Sequence, residues 1–134
     1  AIPGDDVEDV LWRLDDGGEL SSALRVDESV TMGLLIGEND LGFGLPPRTV
    51  AKRIIKLARF LLNRTRGRLL INGLLPMGGI PPAMSPLRCP AHCHPEDEKP
   101  TFLPAISDIN SRLHMASRSF AAEFGARRVS FVDC

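Results

Sequence analysis

Three short apolar runs, "SVTMGLLIG" at 29–37, "RLLINGLLP" at 68–76 and "RRVSFVDC" at 127–134, constrain what this chain can fold into more than any other feature. The first is mostly continuous rather than alternating, which suits a strand covered on both faces better than one with a wet side. No hairpin signal joins any two of them, and the segments between read as helices. Val50, Ile54, Leu57, Ala58 and Leu61 trace one apolar stripe at helical spacing, with Gly67 placed to end it. Phe102, Leu103, Ile106, Ile109, Leu113, Phe120 and Phe124 trace a second, closed by Gly125. Ahead of the first run, Val7, Val10, Leu11 and Leu14 mark another helix, with Asp5 or Asp6 placed to cap it and Gly17-Gly18 to stop it. Residues 19–28 read as a polar connector. The order helix, strand, helix, strand, helix, strand predicts an α/β chain: a parallel sheet wrapped by helices on both faces.

With 134 residues, 43% hydrophobic and 25% charged, the chain has the size and composition of one domain with a single core. Its net charge of −1 provides no global field for nucleic acid or an anionic membrane. No apolar run approaches the roughly 18 residues of a membrane span, and "AIPGDDVEDV" lacks the regions of a signal peptide, so a soluble, cytoplasmic protein is expected. Three cysteines imply no complete disulfide framework. The chain starts without Met and stops at "VSFVDC" as a strand ends, so both ends are expected to be cuts.

In an open parallel sheet, ligands bind beyond the carboxyl ends of the strands. "GENDLG", "PMGGIPP" and "DC" leave the predicted strands in that direction, which puts Asn39 and Asp40 one or two residues past a strand end. A neutral amide is neither nucleophile nor base, but its NH2 can donate to a developing oxyanion. Asp40 would orient neighbours or accept backbone N–H groups from the following loop. Asn-Asp also makes turns by bonding its own backbone, which is the competing reading.

"PGDDVEDVLWRLDDGGEL", "LLIGENDLG", "LLINGLLPMG", "FLPAISDINSRL" and "VSFVDC" resemble, in order and spacing, the SGNH or GDSL hydrolases. The likeness is nearest to the branch holding the catalytic subunits of platelet-activating-factor acetylhydrolase IB, and it spans nearly the whole chain outside residues 80–100. The resemblance implies a flavodoxin-like three-layer α/β/α fold, here a single partial domain, and a serine esterase or lipase-like activity on a small-molecule or lipid acyl ester without a cofactor. It implies that Gly4 gives a backbone N–H, and Asn39 its side-chain amide, to one oxyanion, with Asp5, Gly37 and Asp40 in support. Glu38 fills the variable position of Gly-x-Asn-Asp, whereas Met77 stands where the relatives usually carry Arg. The chain contains no Gly-Asp-Ser and no Asp-x-x-His, so nucleophile and base are missing and the segment is expected to be inert alone. Since the nearest relatives associate as dimers, the resemblance also leaves room for a homodimer.

Other residues carry competing readings. From about 78 to 100 the chain is dense in Pro, without periodicity, and exceeds the usual loop length. Within it, Cys89, His92, Cys93 and His94 are zinc-type ligands, but they crowd one stretch where structural zinc uses separated pairs, so a solvated insertion is preferred to a small metal-binding module. Arg48, Lys52, Arg53, Lys56 and Arg59 form a basic helix face without interleaved aromatics, read as solvated rather than phosphate-binding. His114 reads as a surface or half-buried helical residue, and Trp12 as core or edge packing. Asn63-Arg64-Thr65 matches a glycosylation pattern but falls near a helix end. The alternative from another class is a non-catalytic flavodoxin-like module that binds a ligand or partner at the same sheet edge.

Overall fold

The computed structural model describes residues 2–76 and 102–133. In chain order they form α1 (Val7–Asp15), α2 (Ser22–Val26), β1 (Thr31–Leu34), α3 (Glu38–Gly42), α4 (Pro47–Arg64), β2 (Arg68–Asn72), α5 (Leu103–Phe124) and β3 (Val129–Val132). The strands pair in the order β1-β2-β3, all parallel, so the chain belongs to the α/β class.

Local chemistry explains where the helices begin and end. Asp6 caps α1, accepting from the Glu8 and Asp9 amides at 2.9 Å, while Asp9 returns a bond to the Asp6 amide at 3.0 Å. That reciprocal box satisfies amides that the first turn leaves without partners and puts negative charge at the positive end of the helix. Pro lies in the first turn of both α4 and α5, where its missing N–H costs nothing, and Gly125 at φ 105° ends α5.

Met32, Leu69 and Val129 share one row of the register, and Leu34, Ile71 and Phe131 another. Because side chains alternate along a strand, all six point to one face of the sheet. Ile54, Leu57 and Leu61 of α4 join Ile106, Ile109, Leu113 and Phe120 of α5 in the same core. Those two helices also touch one another: Arg59 reaches Glu123 at 2.7 Å and lies 5.0 Å from the Phe120 ring centroid. Helices on opposite faces would be held apart by the sheet, so α4 and α5 share a face. Right-handed crossovers running in one direction from β1 to β2 to β3 demand this arrangement.

The opposite face is wetter than the continuous apolar runs suggested, with Thr31, Gly33 and Val132 exposed. Two further expectations are corrected. Residues 19–28 are not a plain connector, because Ser21 accepts from the Leu24 amide and starts the one-turn α2. Trp12 is not packed: it is 60% exposed, on the side of α1 turned from the core. Residues 77–101, including Met77, Cys89, His92, Cys93 and His94, lie outside the described part. Among the described residues no helix is long and apolar enough to cross a membrane.

Candidate functional site

Two tight backbone features build the corner that holds Gly4 and Asn39. The first is a turn over Ile2–Asp5, closed by the Asp5 amide on the Ile2 carbonyl at 3.4 Å. Gly4 occupies its third position at φ 93°, which Pro3 sets up and which glycine adopts without strain. The second is Gly37, the residue before α3, which is buried at φ 115°. A Cβ there would sit 2.7 Å from Ile54 Cδ1 and 3.0 Å from Val50 Cγ1, so both the conformation and the space require glycine. Gly37→Ala is expected to destabilise by about 2 kcal/mol or more, from left-handed strain plus overpacking, read as a lower urea midpoint at unchanged slope.

Past Gly37 the chain turns straight into α3, so Asn39 and Asp40 are helical residues rather than a loop. Consecutive side chains of α3 then grip the start of α1. The Asn39 amide donates to the Asp5 carbonyl at 2.7 Å. Asp40, fully buried, accepts the Val7 amide at 2.9 Å and Arg53 Nη1 at 2.9 Å. The expectation that Asp40 serves its following loop is therefore corrected: it serves α1, earlier in the chain. With the Asp6 cap, this bond completes the amide partners of Val7, Glu8 and Asp9.

Arg53 also departs from its expected place on a solvated face. It reaches back over α1, within 3.5 Å of Asp6 and 3.8 Å of Glu8, and Lys56 lies 3.6 Å from Glu8. The hydrogen bond that Arg53 donates to Asp40, opposed by burial and reinforced by the surrounding carboxylates, raises the Arg53 pKa above its ordinary value. Asp5 pairs with Arg13, which is also bound by Glu19 at 2.8 Å.

Asn39 is thus tied to the peptide that follows the Gly4 turn, and each of the two residues keeps donor capacity. An amide NH2 carries two hydrogens, and the Asp5 carbonyl takes one of those on Asn39. The exposed Gly4 N–H meets no acceptor among the described residues. Asn39 itself is half-buried. The described histidine, His114, stands apart: it is exposed on α5 and stacks on Phe131 at 5.2 Å between centroids and 12° between planes. Among the described residues no group of three or more His, Cys, Asp or Glu is placed to hold a metal.

A cavity of about 370 Å³ opens elsewhere along the same carboxyl ends, beyond β2 and β3, lined by residues including Leu74, Ile106, Ser107, Asn110, Phe131 and Asp133. Its lining includes neither Gly4 nor Asn39. Asn110 organises it: Oδ1 accepts the Leu74 amide at 2.8 Å, while Nδ2 donates to the Leu74 carbonyl at 3.1 Å and to Asp133 at 3.2 Å. The sequence reading passed over Asn110, although a polar residue four positions after Ile106, beside the apolar stripe of a long helix, is the kind of signal that marks such a clamp. Comparison with family models, curated proteins and solved structures gives no match for this chain.

Proposed function

We propose that this chain is the oxyanion-binding part of an SGNH-type serine hydrolase that acts on acyl esters. The observation that supports it most directly is the 2.7 Å bond from the Asn39 amide to the Asp5 carbonyl, which sets that amide beside the Gly4 turn. In this reading a serine attacks the ester carbonyl and a histidine carries its proton, both from an Asp-x-x-His and Gly-Asp-Ser framework that residues 1–134 do not contain. The Gly4 N–H and the second hydrogen of the Asn39 amide then donate to the oxygen as negative charge develops on it. Both donors are fixed before the reaction, Gly4 by its turn and Asn39 by Asp5, so little reorganisation is needed at the moment of attack. A small-molecule or lipid ester is the substrate class, and a homodimer the expected assembly.

The test needs no turnover. Titrating the chain with dimethylphosphinate, a small tetrahedral oxyanion, is expected to shift the Gly4 backbone amide and the Asn39 side-chain NH2 resonances along one shared saturation curve. Independent curves, or no shift at either group, overturn the proposal.

One observation favours a second reading, a non-catalytic α/β module that binds its ligand at the same sheet edge. The cavity framed by Asn110 is partly apolar, with a few fixed polar groups, as small-molecule sites are. Saturable binding of a ligand that moves Asn110 and Phe131 resonances but not Asn39 would select it.

A further inference from the structure

The pole of the sheet opposite Gly4 and Asn39 gathers charge that the core does not need. β2 and β3 both start there, and a cavity of about 540 Å³ between their leading ends is lined by Arg66, Arg68, Arg127, Arg128 and Glu28. Four guanidinium groups against one carboxylate is a concentrated positive field in a chain whose net charge is −1. Arg128 is the anchored member. Its Nε and Nη2 donate to the Gly67 carbonyl at 3.2 and 3.1 Å, and Nη2 to the Thr65 carbonyl at 2.7 Å. Its Nη1 has no bonded acceptor among the described residues.

The other three arginines are held by backbone and left open at the side chain. The Arg66 amide bonds the Arg25 carbonyl at 3.0 Å and the Arg68 amide bonds the Val30 carbonyl at 2.8 Å. Arg127 lies in the turn that Arg128 closes on Gly125 at 2.9 Å. Arg66, Arg68 and Arg127 are exposed, and none forms an ion pair with a described residue. Clustered like charges repel one another unless a counter-charge joins them, and guanidinium forks match phosphate oxygens in pairs.

We propose that this cluster is a binding site for a multiply charged phosphate anion, a di- or triphosphate group seated among Arg66, Arg68 and Arg127 with Arg128 Nη1 beneath. The cavity has room for more than one phosphate, and a polyvalent anion matches several guanidinium groups where chloride matches one. The site is independent of the oxyanion reading, since it lies at the other ends of the strands. A purely structural role is the rival: the carboxyl-terminal end of α4 lies here, and its carbonyls already favour nearby cations.

Calorimetric titration with inorganic tripolyphosphate in 150 mM NaCl (an ionic strength of the order at which free surface charges are screened within about 8 Å) separates the two. Saturable one-to-one binding is expected, weakened at least tenfold in an Arg66→Gln/Arg127→Gln variant and little changed in an Arg48→Gln/Lys52→Gln variant on the outer face of α4. The melting temperatures of both variants should stay close to that of the parent, because these side chains are exposed. ATP binding as tightly as tripolyphosphate would show that the phosphates alone are read, and tighter ATP binding would add a nucleotide to the class. No saturable heat overturns the proposal, as does binding lost equally in both variants or unchanged in the first.

Discussion

Replacing Arg53 by Met is expected to lower the free energy of unfolding by about 3 kcal/mol, the lower end of the range for breaking a buried ion pair, because Arg53 keeps 29% side-chain exposure. Asp40 has none: its carboxylate is fully buried and holds two partners, the Val7 amide and Arg53. Methionine keeps most of the stem packing, so the loss isolates the charge. What remains is a fully buried anion with a single neutral donor, the Val7 amide. A double variant, Asp40→Asn/Arg53→Met, removes the charge while its amide oxygen still accepts the Val7 N–H, and should recover much of the loss. Urea unfolding of the single and double variants checks both. If the single variant costs less than about 1 kcal/mol, a magnitude typical of exposed pairs, Asp40 is not relying on Arg53.

This pair also marks the limit of what the sequence discloses. A cap at Asp5 or Asp6 was legible because a side chain bonding amides two and three residues ahead leaves its mark locally, and the structure places it at Asp6. The stripes of α4 and α5 were legible because Val50 to Leu61 and Ile106 to Phe120 repeat at one helical period. Arg53 belongs to the charged rows of that pattern, and nothing within a helix length announces that its partner is Asp40. α2 escaped notice because its five residues hold too little sequence for a period. β1 was expected to be covered on both sides, but a run such as "TMGLL" reads alike whether one face or two are covered, and Thr31 and Gly33 prove exposed. For the site, the placing of Asn39 beyond a parallel strand followed from the alternation of elements. Its bond to Asp5 depends on how α1 returns across α3, a tertiary contact that no local pattern carries.

Asn39 bears the largest functional prediction. In the enzyme that the proposed function requires, with its serine and histidine in place, Asn39→Ala is expected to lower kcat on a short acyl ester by about 10²–10³, with KM little changed. The split follows from when the bond forms: the donor faces charge that exists only as the carbonyl oxygen becomes an oxyanion, so the transition state loses what the bound ester never had. The same substitution also removes the clamp on Asp5, a neutral hydrogen bond whose loss costs about 1 kcal/mol of stability. A variant destabilised elsewhere distinguishes the two effects. Thr65 is buried at the far end of α4 and donates to the Leu61 carbonyl at 2.8 Å, so Thr65→Ala should cost comparable stability while leaving kcat intact. If both variants slow turnover alike, the effect of Asn39 is one of folding, and if Asn39→Ala turns over at the parent rate, its amide does not face the oxyanion. A fall confined to Asn39→Ala, at constant KM, assigns the second hydrogen of that amide to the reacting oxygen.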